Sequence, residues 1–142
     1  MIRKALFIAA AVLISCSNLI VGTISAADNS PDASPKYSYI DTYNSKITFS
    51  GSTATCQSKA KGYINTTTKI VFDQTLQKQN YLGGWSSVSG AHWVDTVYYY
   101  KGSATHDKDS LSSGTYRLRN EMDVYSGSDY ETIVDYSTEE TL

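Results

Sequence analysis

The chain has 142 residues, a formal net charge of −2 and a charged fraction of only 18%. A weakly acidic chain without clustered Lys and Arg excludes a protein held on nucleic acid by phosphate contacts. Two cysteines in this length exclude a small domain built on a disulfide framework.

Residues 1–27 carry an address. Arg3 and Lys4 precede an apolar run from Ala5 to Ile24, and Ser25-Ala26-Ala27 supplies small residues ahead of the polar Asp28. This is the charged, apolar, small-residue order of a secretory signal peptide, with cleavage expected near Ala26 or Ala27. The expected site of action is therefore extracellular or at the cell surface. Two other readings change the anchoring. Leu13-Ile14-Ser15-Cys16 fits a lipobox that would make Cys16 a lipid-bearing first residue, although the chain stays apolar through Leu19-Ile20-Val21. Left uncleaved, the 20 residues from Ala5 to Ile24 are long enough to span a bilayer. A membrane partner is implied only by a lipidated Cys16 or a retained leader.

Cleavage leaves about 115 residues, one domain in size, with net charge −4 and a single thiol, Cys56. With no second cysteine to pair, the domain must be stabilised by packing, and Cys56 reads as a small buried apolar residue. Residues 28–36 hold Pro31 and Pro35 among polar neighbours and read as a flexible linker.

From Tyr37 to Leu142 the pattern is strands divided by turns. Three segments alternate clearly. Ala54, Cys56, Ser58 and Ala60 share one face of 53–61; Ile70, Phe72 and Leu76 share one face of 69–78; Tyr116, Leu118, Met122 and Val124 share one face of 115–124. A one-residue slip would expose each apolar set, which fixes the register. Weaker strands are expected at 37–42, 46–50, 85–89, 93–100 and 130–136. Turns are expected at Asn44-Ser45, Gly51-Ser52, 62–67, Gly83-Gly84, Gly102-Ser103, 112–114 and 126–128. Seven to eight short strands at this spacing predict an all-β, antiparallel sandwich. Leu111-Ser112-Ser113-Gly114-Thr115-Tyr116-Arg117-Leu118 resembles the corner entering a late strand of immunoglobulin-like sandwiches, where a tyrosine hydroxyl turns back onto upstream backbone. Tyr116 takes that role. Leu118 then stands where antibody-type domains place a disulfide cysteine, with Cys56 facing it across the core as a lone half.

The ordered strings Gly51-Ser-Thr-Ala-Thr-Cys56, Thr75-Leu-Gln-Lys78, Trp85, Ser113-Gly-Thr-Tyr-Arg117, Val124-Tyr-Ser-Gly127 and Glu131-Thr132 resemble a group of small secreted domains from Gram-positive Firmicutes. The resemblance spans 51–138 and implies an extracellular immunoglobulin-like β-sandwich with no assigned catalytic residues. The segment from His92 to Asp109 departs from it, being richer in aromatic and charged residues.

That segment is the strongest functional signal. In Trp93-Val94-Asp95-Thr96-Val97-Tyr98-Tyr99-Tyr100 both strand faces are apolar or aromatic. With Val94, Thr96, Tyr98 and Tyr100 turned to the core, Trp93, Val97 and Tyr99 would point outward. Such a row of rings stacks sugars or buries a partner's apolar side chains. The same composition also describes a central strand covered on both sides. Trp85, after Gly83-Gly84, either caps the core or joins Trp93 in an aromatic patch. The expected ligand-binding set is Trp93, Tyr99 and Trp85.

His106-Asp107-Lys108-Asp109 has metal-like spacing, but a histidine and two acids with a lysine between them fall short of a calcium loop, and the segment reads as a solvated turn. No metal or cofactor is implied. His92 and His106 are the only imidazoles and neither lies in a nucleophile motif. A glycosidase needs two placed carboxylates, for which Asp95, Glu121, Asp123 and Glu131 are the candidates, yet in the clear strands acids alternate as surface residues do. The expectation is therefore a non-enzymatic binding or structural module acting on a cell-wall polymer, glycan or extracellular protein, with no nucleic acid. The alternatives are a carbohydrate-binding module and a small secreted effector or inhibitor.

Overall fold

A computed structural model describes residues 37–142; the leader, Cys16 and the 28–36 linker lie outside the described residues. Eight strands follow in order: β1 (Ile40–Ser50), β2 (Thr53–Gly62), β3 (Lys69–Gln79), β4 (Trp85–Val97), β5 (Lys101–Lys108), β6 (Thr115–Ser126), β7 (Asp129–Tyr136) and β8 (Glu140–Thr141). All pairings are antiparallel. One sheet has the order β1-β2-β5; the other runs β4-β3-β6-β7, with the short β8 also pairing with β6. The described chain is thus all-β and sandwich-like, its two sheets sharing one interior.

The interior follows from period-2 alternation. Ala54, Cys56, Ser58 and Ala60 of β2 are buried, as are Ile70, Phe72 and Leu76 of β3 and Tyr116, Leu118, Met122 and Val124 of β6. Each set matches the face read from the sequence. Two apolar clusters result. Ile40, Ala60, Ile70, Phe72, Ala104, Met122, Val124 and Ile133 form one. Ile47, Ala54, Cys56, Leu76, Ala91, Tyr116 and Leu118 form the other, so Cys56 and Leu118 do share one packed region.

Buried polar side chains add a cross-link between the sheets. Gln74 and Asn120 are paired on β3 and β6, and Ser45 and Ser58 are paired on β1 and β2. Gln74 Nε2 donates to Ser58 Oγ at 2.7 Å, Ser58 Oγ lies 3.2 Å from Ser45 Oγ, and His106 Nδ1 lies 3.0 Å from Gln74 Oε1. A hydrogen bond inside the core is directional where apolar packing is not, so this link favours one alignment of the sheets.

Tyr116 behaves as its position predicts. Its ring is buried against Phe49, and its hydroxyl donates to Ser112 O at 2.6 Å. Lys78 Nζ secures the same corner by donating to Ser112 Oγ and Ser113 O at 2.6 and 2.8 Å.

Several sequence expectations are corrected. Segments 37–42 and 46–50 merge into one strand, β1, which begins at Ile40, so Asn44-Ser45 lies within a strand rather than a turn. Segments 85–89 and 93–100 are likewise one strand, β4, which ends at Val97. A register shift opposite Thr75–Gln77 marks a bulge in it, where Gly90 has φ +67°. The expected Gly102-Ser103 turn and the 106–109 turn largely coincide with β5. That strand carries little apolar patterning of its own; its pairing with β2 defines it. Gly102 faces Val97 so closely that a Cβ there would lie 2.8 Å from Val97 Cγ1.

The orientation expected for 93–97 is inverted. Trp93, Asp95 and Val97 pair with Gln74, Phe72 and Ile70, whose side chains are buried, and directly opposite residues share a face. Trp93 and Val97 accordingly pack against the core, while Val94 is exposed. Arg117 and Arg119 are half-buried, whereas Lys59 and Lys61 are exposed.

Candidate functional site

The three residues expected to bind ligand lie on different surfaces. Trp93 is half-buried on the inner side of β4, its ring stacked on His106 at 4.9 Å with planes 3° apart. His106 Nε2 also lies 3.3 Å from Asp95 Oδ2, so Trp93 belongs to the closure between the edges of the two sheets. Trp85 pairs with Gln79 at the far end of β4 and stands beside Arg117 on the outer face of the larger sheet. Tyr99 alone lies in an exposed aromatic cluster, in the loop between β4 and β5.

That cluster occupies one end of the sandwich. The β2–β3 loop contributes Tyr63 and Ile64, the β4–β5 loop Tyr98 and Tyr99, and the start of β7 Tyr130; all five are exposed, Tyr98 to 81% and Tyr99 to 54%. Backbone contacts hold these segments together. Gly62 N donates to Tyr100 O at 2.6 Å, joining the first two loops. Thr68 N donates to Tyr125 O at 2.8 Å and Gly127 N to Thr68 Oγ1 at 3.1 Å, joining the first loop to the β6–β7 turn. Tyr39 O accepts from Thr67 Oγ1 and from Tyr63 N, and the Glu131 carboxylate accepts from the backbone N–H groups of Ser38, Tyr39 and Ile40. The chain's entry into the domain is therefore tied to the same end.

The rings are also braced laterally. Tyr99 and Tyr100 lie 4.5 Å apart, and Tyr125 and Tyr130 stack at 5.1 Å with Lys69 Nζ 3.5 Å from the Tyr125 ring centroid. Lys101 Nζ sits 5.7 Å from the Tyr100 centroid. Tyrosines held by neighbours lose little further rotamer freedom on contact, and each offers an apolar face with a polar tip. Between Ile64, Thr67, Thr68 and Tyr98–Tyr100 lies an open groove of about 410 Å³. Exposed rings around a shallow groove suit stacking and apolar burial.

Of the three expected residues only Tyr99 lies in this exposed cluster, and the sequence reading did not single out Tyr63, Ile64, Tyr98 or Tyr130 as contact residues. The available signal was aromatic or aliphatic residues beside turn segments: Tyr63-Ile64 in 62–67 and Tyr130 after 126–128. Large apolar residues in turns have no core to enter.

No family model matches the chain, and no curated protein matches it.

Proposed function

We propose that the protein is a secreted, non-catalytic binding module with an immunoglobulin-like sandwich fold, whose contact surface is the tyrosine-rich loop end. The fold reading is supported by the strand orders β1-β2-β5 and β4-β3-β6-β7 and by the Tyr116 corner, features of immunoglobulin-like and fibronectin-type sandwiches. The resemblance to small secreted Firmicutes domains and the signal-like leader support an extracellular or cell-surface address.

One observation carries the functional reading: three separate segments bring Tyr63, Ile64, Tyr98, Tyr99 and Tyr130 to one exposed end. Placing five large apolar side chains in water serves no packing purpose, and contiguous exposed patches mark interaction sites. Binding would proceed by ring stacking and apolar burial, with tyrosine hydroxyls and Thr68 satisfying polar groups at the rim. A cell-wall glycan or polymer is the first ligand to test, since flat rings around an open groove suit a sugar ring. An extracellular protein is the second.

Co-sedimentation of the purified protein with isolated Gram-positive cell walls tests this, beside a Tyr98→Ser/Tyr99→Ser variant. The proposal expects wall binding by the native chain and its loss in a variant that keeps the native circular dichroism and unfolding midpoint. Equal sedimentation of both proteins would move the site away from this end. No sedimentation of either would remove the wall as ligand.

A further inference from the structure

The outer face of the β4-β3-β6-β7 sheet carries a second feature, away from the tyrosine end. Arg117 projects from β6 between two aromatic residues, with its Cζ 4.2 Å from the Trp85 ring centroid and 4.3 Å from that of Tyr136. Its Nε donates to Gln77 Oε1 at 2.9 Å from the directly paired position on β3. The guanidinium is thus steered by two rings and one amide contributed by three neighbouring strands.

What it lacks is an acid. Among the described residues no carboxylate lies within ion-pair distance of Arg117, although acids are plentiful on the same face. Those acids have other partners. Arg119, two residues along, holds Glu121 at 2.5 Å; His92 Nε2 lies 2.8 Å from Asp73 Oδ1; and Thr132 donates to Asp123 Oδ1 at 2.6 Å. The two terminal nitrogens of Arg117 have no hydrogen-bond acceptor among the described residues. A guanidinium presents its donors as a rigid fork matched to two oxygens of one carboxylate or phosphate. Half-burial beside rings removes part of its water, which strengthens a charge-assisted bond to an incoming oxygen.

The geometry points to an oxyanion-binding site at Arg117. A ligand carboxylate or phosphate accepts from Nη1 and Nη2, while the carbon skeleton bearing it lies against Trp85 and Tyr136. Tyr81 and Leu82, almost fully exposed in the turn just before Trp85, extend the apolar surface beside it. This assigns Trp85 a ligand-contacting role separate from the loop-end tyrosines. The site stands or falls independently of wall binding at that end.

Titration of the full chain with inorganic phosphate and with acetate tests the site, following the Arg117 Nε–Hε resonance by NMR with sodium chloride at matched ionic strength as control. A saturable shift with phosphate, acetate or both, absent with chloride, is expected. Arg117→Gln should abolish the response at an unchanged unfolding midpoint, as judged on the Trp85 indole resonance, which should move with ligand only in the native chain. Arg117→Lys, which keeps the charge and loses the fork, should weaken binding about tenfold. Saturation by phosphate alone would identify a phosphate-bearing ligand; comparable saturation by acetate would identify a carboxylate. Shifts that match the chloride control, or a Trp85 response that persists in Arg117→Gln, would overturn the assignment and leave the three side chains as a structural stack.

Discussion

Replacing Tyr116 by Phe removes one atom from the corner entering β6. The residue is 1% exposed, so the ring stays packed against Phe49 and only the 2.6 Å bond to Ser112 O is lost. A typical intramolecular hydrogen bond contributes about 1 kcal/mol net, and an orphaned buried partner would add to that. Here the partner lies on exposed Ser112 and can regain water, so the expected cost stays near 1 kcal/mol. Tyr116→Ala also empties the ring's site, for which about 3–5 kcal/mol is expected. Urea denaturation reads both values, with the midpoint falling at constant slope because the surface exposed on unfolding hardly changes. In thermal melts the Phe variant should lose about 4–8 °C. Tyr130, 58% exposed, supplies the comparison: Tyr130→Ala should change stability by less than about 0.5–1 kcal/mol. A Tyr116→Phe protein as stable as the native one, or a Tyr130→Ala loss matching that of Tyr116→Ala, would refute the corner's role.

Trp93→Ala should destabilise the domain by about 2–4 kcal/mol in the same denaturation assay, because a half-buried ring leaves the core margin and its stack with His106. Wall sedimentation at saturating temperature margin should be untouched by it. Gly62→Ala would place a Cβ 2.5 Å from Tyr39 O and closer still to Thr67 Oγ1, so a loss of about 1–3 kcal/mol is expected in thermal melts. Burial pushes the Cys56 thiol from its ordinary 9.0 up to about 12. In a Cys16→Ser background, a thiol reagent at pH 8 should therefore label the folded protein far more slowly than the urea-unfolded chain. The linkage has a definite sign. The raised thiol favours the folded state fully below about pH 9, and that contribution is lost as pH rises toward 12 because the unfolded chain ionises first. Cys56→Ala should flatten this part of the stability profile.

Strands β2, β3 and β6 were legible because each has one apolar parity and one polar parity. Ala54-Cys56, Ile70-Phe72 and Leu118-Met122-Val124 can face only inward, so their burial follows from alternation alone. Tyr116 was legible for a different reason, as a tyrosine just after Ser113-Gly114 at a strand start. Strand β4 offered no such contrast. Trp93 and Val97 on one parity compete with Val94 and Tyr98 on the other, and the bulge near Gly90 breaks the count from Trp85. Strand β5 has Ala104 as its one buried apolar residue, so only its ladder with β2 marks it as a strand.

Local chemistry along the chain was enough for the strand-rich class, the three strongest strands, their inward faces and the turns beside glycine other than Gly102, since each depends on neighbours one to four residues apart. Pairing settled the rest. The register against β3 turned Trp93 inward, because a residue opposite Gln74 must share its buried face. Chain reversal brought Tyr63, Tyr98 and Tyr130 to one end and placed Trp85, Arg117 and Tyr136 side by side, although each set is scattered over three distant segments. Periodicity assigns a side chain to a face, but a surface assembled from several loops or strands exists only once the sheets have formed.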